Sequence, residues 1–586
     1  MRRIAGKAQV AGLILILLAA ASTVASGQTS ARVRGWTTDL DSAVAYILAK
    51  HPNPFRRTPR AAFMAEAARL RRDLPRLDDA AAALRLARLV ALVRDGHTDL
   101  HPGRLGGFDR WYPVRFYRFT DGLFVTSIHR DFADLAGARV ERIGRLSADS
   151  AATLAAAPYS ADNQFGLDEG VAFLSSAPAL RALGITAASD SLPLDLMLRS
   201  GERRRVVLGA VTSRSTIGWD QLGEIFGPPM PSGTSLVTPF GGAPPSAFRQ
   251  DDSARPLHLR NRNRWHYQIL PQQDLAFLQI NFFLDTDDAP FEAFVNRAFR
   301  AIDSAGVSRL VIDVRYNGGG DGTMAREILH ELIRRHRTVN RPGRLFLLVG
   351  RKTFSASMML IDFLLDHTEA VLVGEPAGTA LNSFGDPTTV TLPYSGMALS
   401  VSTRYLQFST SDDSSWTTPI QVPAPFSSTD FFQGKDPAIE AILTGGAEPL
   451  TTMLLRAGAP VALQEYRRRK GSFASLSWWV PFEHRTMRRL GDSLRLAGRH
   501  TEAHAAYQMN AEQSPCEWRS WDSLAEGYIA AGDSIAARAA AARALEILPE
   551  NWNGDRQRAI LKAVREVPGP SPLPPHPPTC QPPRAG

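Results

Sequence analysis

Three short stretches of this 586-residue chain carry residue types whose spacing could do chemistry. The first is 310–320, LVIDVRYNGGG, in which an apolar strand runs into three consecutive glycines. Glycine permits positive φ and lets the backbone approach a ligand closely. Successive exposed N–H groups in such a turn can hold an anion or a developing oxyanion. Three glycines in a row cost more conformational entropy than a plain βα turn requires, which favours a functional reading. The stretch is not a Walker A, because no Gly-Lys-Ser/Thr follows, and its glycine spacing is not that of the dinucleotide fingerprint.

The second stretch is 350–357, GRKTFSAS, which follows an apolar strand and opens a helix. Ser355 is thereby expected at a strand–helix junction, on the carboxyl edge of the sheet where open α/β folds bind ligands. The N–H of Ala356 is expected to be free, since the first N–H groups of a helix lack intrahelical partners. Taken alone, an ordinary helix N-cap explains Ser355 better. The third stretch is Asp95-Gly96-His97-Thr98. His97 by itself is a common loop histidine. With His101 it has the spacing of a metal pair, but no third ligand accompanies it. His330-Glu331 fails the H-E-x-x-H zinc pattern, because Arg334 stands in the second histidine's place. The lipase-like word at 491–494 falls inside a helical pattern, and Gly-x-Ser-x-Gly does not surround Ser355.

The elements that must position these residues read as α/β. Over 263–445, strands expected at Leu275–Ile280, Leu310–Ile312, Leu345–Val349 and Val371–Val373 alternate with helices. Among these, Phe291, Phe294, Val295, Ala298, Phe299 and Ile302 mark one helical face. Residues 36–104 form an N-terminal helical domain, with Leu40, Val44, Ile47 and Leu48 on one face and Pro52 and Pro54 as a stop. Residues 108–212 are β-rich, with strand candidates at Leu123–Val125, Ala138–Val140 and Arg205–Leu208. Residues 213–262 are a Pro/Gly-rich linker or loop. Within 480–550, Gly498 recurs as Gly532, Ala503 as Ala537 and Pro515 as Pro549, the 34-residue period of tetratricopeptide-like repeats. Two copies are too few to stand alone, so they are expected to lean on a neighbour. Residues 566–586 are a Pro-rich tail expected to be disordered.

Composition narrows the classes. With 28 Phe, 10 Trp and 11 Tyr, the chain has too much apolar surface for wholesale disorder, and two cysteines exclude a disulfide-stapled miniprotein. The net charge of +9 comes almost wholly from scattered Arg, with no long block of one sign, so no nucleic-acid partner is expected. Arg2, Arg3 and Lys7 precede an apolar run over 10–21 and small residues over 23–27, the pattern of a signal peptide at 1–27. The run is short for a bilayer span, so a periplasmic or extracellular protein without stable membrane insertion is expected. Cys516 and Cys580 would then meet an oxidising compartment in which they could pair.

Taken together, His51-Pro52, Asp95–Thr98, Asp313-x-Arg315-x-Asn317-Gly318-Gly319-Gly320, Thr353–Ser357, Val373–Pro376 and Asp436-Pro437 resemble the tricorn-like and C-terminal-processing (tail-specific) serine protease family. The resemblance spans about 36–445 and implies a crotonase/Clp-protease-like α/β core, with a PDZ-like module at 108–212. It implies a serine-type peptidase acting through an acyl-enzyme on Ser355, with an oxyanion hole from Gly320 and Ala356, beside Gly319. One branch of the family activates its serine with a Lys about 25 residues downstream. No Lys occurs between Lys352 and Lys435, so the branch using an upstream His is implied, with His97 as general base. Asp413 is the favoured orienting acid, with Asp412 and Glu375 as alternatives. No metal or cofactor is implied. Peptides or proteins are the expected substrates, and the repeats could take a protein partner. The other readings are a catalytically inactive binding or scaffold protein of the same fold and a serine esterase.

Overall fold

A computed structural model describes residues 30–101, 110–128, 130–188, 190–212, 256–260, 264–285, 290–409, 415–549 and 553–563. The expected signal peptide, the Pro-rich tail and most of the 213–262 loop lie outside them.

The chain opens with α1 (residues 30–50), α2 (Arg60–Asp73) and α3 (Asp79–Ala91). Trp36, Leu40, Ala43 and Ile47 are the buried face of α1, at a helical period. Leu48, which the periodicity places on that face, is instead 38% exposed. Asp78 caps α3 by accepting the Ala81 N–H at 2.9 Å. The chain then forms β1 (Asp99–His101).

The middle module contains β2 (Val114–Phe119), β3 (Gly122–Ile128), β4 (Arg139–Ile143), α4 (Ala148–Ala156), β5 (Ser191–Met197) and β6 (Arg203–Gly209). Its strands pair in the order β2-β3-β4-β5-β6, all antiparallel, around their own core.

A second six-stranded sheet holds β7 (Trp265–Leu270), β8 (Leu275–Ile280), β9 (Arg309–Asp313), β10 (Leu345–Val349), β11 (Val371–Gly374) and, beyond a hairpin, β14 (Val422–Pro423). Only β7–β8 is antiparallel. Successive residues alternate between faces. Leu278, Ile312, Leu347 and Leu372 pack under α5 (Phe291–Ala305), α6 (Ala325–Arg334) and α7 (Ser357–His367). Phe277, Val311, Phe346 and Val373 pack against α8 (Pro437–Leu443) on the other side. Strands buried on both faces read as continuous apolar runs, which is why the sequence displayed them so clearly. Between β11 and β14, the hairpin β12 (Asn382–Thr391) and β13 (Ala398–Gln407) pairs with β1, placing Asp99 opposite Ser400.

Residues 256–260, within the span read above as a linker or loop, form a short turn with His258 buried in the core. The hairpins α11 (His484–Leu496) with α12 (His500–Gln513) and α13 (Trp518–Ala530) with α14 (Ser534–Glu546) share one core with an earlier pair, α9 (Leu450–Ala457) and α10 (Ala459–Ser472). The neighbour they lean on is thus a third helix pair, which the 34-residue period does not reach. Cys516 is disulfide-bonded, and the only other cysteine, Cys580, lies outside the described residues. Among the described residues, no helix is long and apolar enough to cross a membrane.

Candidate active site

Ser355 and the glycine turn leave the carboxyl ends of adjacent parallel strands, β10 and β9. Two loops springing from neighbouring strands at that edge necessarily converge. Ser355 is half-buried and has φ +54°, a left-handed backbone that a residue with a Cβ seldom adopts. It does not cap the helix: α7 begins at Ser357 with no side-chain cap. The sharp strand-to-helix turn is therefore made without the flanking glycines that usually make room for one. The room comes from across the sheet. A Cβ on Gly319 would lie 2.8 Å from Ser355 Cβ and 3.2 Å from its Oγ.

The turn itself is fixed by backbone and side-chain bonds. Gly319 and Gly320 have φ of +122° and +123°. The Phe283 N–H donates to Gly319 O at 3.0 Å, and the Asp321 N–H donates to Phe283 O at 2.7 Å. A parallel bridge of this kind directs the Gly320 N–H away from Phe283. The Gly319 N–H is already donated to Asn317 Oδ1 at 2.9 Å, which takes it out of the expected oxyanion set. The Ala356 N lies 3.5 Å from where a Gly319 Cβ would be. Asn317 is 0% exposed and also binds the serine turn, its carbonyl accepting from the Phe354 N–H at 2.9 Å and from Ser357 Oγ at 3.0 Å.

His97 reaches the same place from the N-terminal domain. Its ring stacks on Phe354, the residue before Ser355, with centroids 4.3 Å apart and planes at 29°. Both ring nitrogens are buried, and the polar group that approaches the ring is the backbone of Phe384. Burial pushes the imidazole below its usual range, against the charges of Asp95 and Asp99, so the ring is neutral near pH 7. A neutral imidazole can accept a proton.

The turn bearing His97 is held by Asp95, which is 1% exposed. Its Oδ1 accepts the His97 N–H at 3.0 Å. Its Oδ2 accepts from Thr98 Oγ1 and Ser402 Oγ, each at 2.6 Å, and meets His51 Nε2 at 3.2 Å. Burial opposes the Asp95 charge, but the His51 contact, the nearby His97 and the two hydroxyls outweigh it and hold the carboxyl below its usual range. Thr98 Oγ1 in turn accepts the Ser402 N–H at 3.1 Å, fastening the turn to the hairpin.

The remaining expected residues are distributed differently. Glu375 pairs with Arg351 at 2.8 Å, and Arg351 also donates to Arg118 O of the middle module at 2.7 Å, so Glu375 is committed elsewhere. Asp412 and Asp413 lie outside the described residues. Arg315 joins Asp313 and Asp436 at 2.7 Å each, and His258 Nδ1 meets Asp436 Oδ2 at 3.1 Å. Burial disfavours ionising Asp436, yet Arg315 and His258 hold its carboxyl far below the usual range. This buried network supports the chain entering the glycine turn. Sequence reasoning missed His258, Asp162 and Asn163, none of which sits in a periodic element. Among the described residues, no group of three or more His, Cys, Asp or Glu could hold a metal ion.

Residues 274–415 match the model of peptidase family S41. No curated protein matches the chain. The fold is similar to mature CPAF complexed with lactacystin, at 12% identity and a TM-score of 0.48, covering 72% of this chain and 99% of that one. It is also similar to the photosystem II D1 C-terminal processing protease, at 15% identity and a TM-score of 0.29, covering 69% and 98%. Similarity to the tricorn protease is at 13% identity and a TM-score of 0.32, covering 71% of this chain and 37% of that chain.

Proposed function

We propose, from the match of residues 274–415 to peptidase family S41, a serine peptidase family, that the chain is an exported peptidase using Ser355 as nucleophile and His97 as general base. Ser355 Oγ attacks the scissile carbonyl carbon while His97 accepts the hydroxyl proton. The oxyanion that forms is met by the N–H groups of Gly320 and Ala356. The C–N bond then breaks, His97 returns its proton to the leaving amine, and water hydrolyses the acyl-enzyme. Asp413 is the proposed third residue. No metal or nucleotide enters this scheme.

The observation that carries the proposal is the left-handed Ser355 packed against Gly319, because strain of this kind persists only where the surroundings impose it. Apo catalytic hydrogen bonds are often long, so a buried His97 that makes no bond to Ser355 in this structure fits a site that tightens on substrate. The N-terminal 27 residues support export to a periplasmic or extracellular space, and the C-terminal hairpins read as tetratricopeptide-like repeats suited to a protein partner.

A fluorophosphonate probe tests the assignment. Wild type is expected to label on Ser355 and Ser355→Ala to lose both labelling and peptide hydrolysis. Equal labelling of Ser355→Ala overturns the nucleophile. A folded wild type that neither labels nor hydrolyses peptides is instead a binding protein of this fold.

A further inference from the structure

Asp162 belongs to neither the His97 turn nor the sheet that bears Ser355. It comes from the middle module, just before the helix Gln164–Leu167, and is 1% exposed. Its Oδ2 accepts the Gly96 N–H at 3.3 Å, and its backbone carbonyl accepts from the Arg57 guanidinium. The next residue, Asn163, donates from Nδ2 to both Ala377 O and Trp416 O at 2.9 Å, while its Oδ1 accepts the Gly166 N–H at 2.9 Å. This corner of the middle module is therefore bonded to four separate loops. One of them carries the proposed base.

Gly96 is tightly enclosed there. A Cβ on it would lie 2.8 Å from the Phe354 ring and 3.1 Å from Asp162 Oδ2. The turn is thus gripped between the aromatic residue on which His97 stacks and the carboxylate of Asp162. We propose that Asp162 is a positioning residue for catalysis, holding the Gly96 N–H so that His97 stays seated on Phe354 beside Ser355. The inference rests on the reading of Ser355 and His97 given above.

A buried carboxylate is a costly way to occupy this position, since Asp95 already places one negative charge nearby. Burial and the Asp95 charge, partly offset by Arg57, push Asp162 up to about 7. Around it stand Asp95 with His51 against it, Thr379 from the loop after β11, and Arg57, which feels Arg56 and Arg94. When ionised, Asp162 accepts a charge-assisted bond from Gly96, stronger than the bond to the protonated acid. Activity should therefore rise with pH through about 7 as Asp162 loses its proton. His97 is held below its usual value, so its own limb lies at lower pH.

The test is the pH profile of kcat/KM for peptide hydrolysis in wild type, Asp162→Asn and Asp162→Ala, with folding followed by thermal melting. Asp162→Asn keeps an acceptor for Gly96. That acceptor is neutral, like the protonated acid, so the variant is expected to stay at the level of wild type below neutrality across the pH range and to lose the limb near neutrality. Asp162→Ala is expected to lose about tenfold or more in kcat with little change in KM, because a misplaced base is costly. A limb near neutrality that persists in Asp162→Asn overturns the inference, as does wild-type kcat in Asp162→Ala. Should the alanine variant fail to fold, the asparagine profile decides alone. Fluorophosphonate labelling separates the two levels of the argument. A wild type that does not label at Ser355 removes the reading of the site and the inference with it. A wild type that labels, alongside an Asp162→Ala that labels equally fast, removes only the inference.

Discussion

The His97 ring lies flat against Phe354, 4.3 Å between centroids, and the next residue along the chain is Ser355. The proposed base is thus seated by the residue that precedes the proposed nucleophile. Any movement of one is felt by the other through a single peptide unit.

Phe354→Ala should therefore uncouple the pair. Without the ring, water reaches the imidazole, and the burial that lowers its proton affinity is relieved. The His97 limb of the kcat/KM profile is expected to move to higher pH, and kcat to fall about 10- to 100-fold. Phe354→Tyr, which keeps the stacking face, should behave nearly as wild type. Steady-state kinetics between pH 5 and 9 check both.

Gly319→Ala places a methyl 2.8 Å from Ser355 Cβ at a φ of +122°, and Gly320→Ala drives one to 2.0 Å from Phe283 O at +123°. Each is expected to abolish fluorophosphonate labelling. The Gly319 variant should keep a melting temperature closer to wild type, because its clash falls on the serine turn. The Gly320 clash falls on backbone that ties two strand ends together. Probe labelling and thermal melts distinguish them.

Asp95→Ala strands the Thr98 and Ser402 hydroxyls, the His97 N–H and His51 around a missing buried acceptor. A loss of about 3–5 kcal/mol in unfolding free energy is expected by urea titration. Because the Asp95 carboxyl is held below its unfolded value, its stabilisation is present above the ordinary carboxylate range and disappears as pH falls through the depressed value. The gap between wild type and Asp95→Ala should accordingly shrink in strong acid.

Arg315→Met leaves Asp313 and Asp436 as neighbouring buried carboxylates without their shared cation. Breaking a buried network from one side costs about 3–5 kcal/mol. The destabilisation should be larger at pH 8 than at pH 4, since protonation in acid relieves the stranded charges. Urea midpoints at the two pH values check the direction.

Much of the core was legible because its signals are local. Strands covered on both faces announce themselves as apolar runs, as Leu310–Ile312 and Leu345–Val349 do, and consecutive glycines mark the turn between strand and helix. The resemblance singled out His51 and Asp95, but their mutual contact is a tertiary fact that no spacing encodes. His258 was hidden in a segment whose prolines and glycines read as loop. Asp162 and Asn163 were invisible for the same reason: polar residues in an irregular segment carry no period. The helices Leu450–Ala457 and Ala459–Ser472 escaped because they do not repeat the 34-residue pattern, although they share the core of those that do.

The proposed site draws on residues 97, 162 and 355, one from each of three regions with their own cores. Contacts so distant in sequence form late, since long loops must close before they are rewarded. A chain emerging from synthesis therefore has its proposed nucleophile before it has a seated base. Under the proposed scheme, catalytic competence belongs to the three regions docked together and to no single segment.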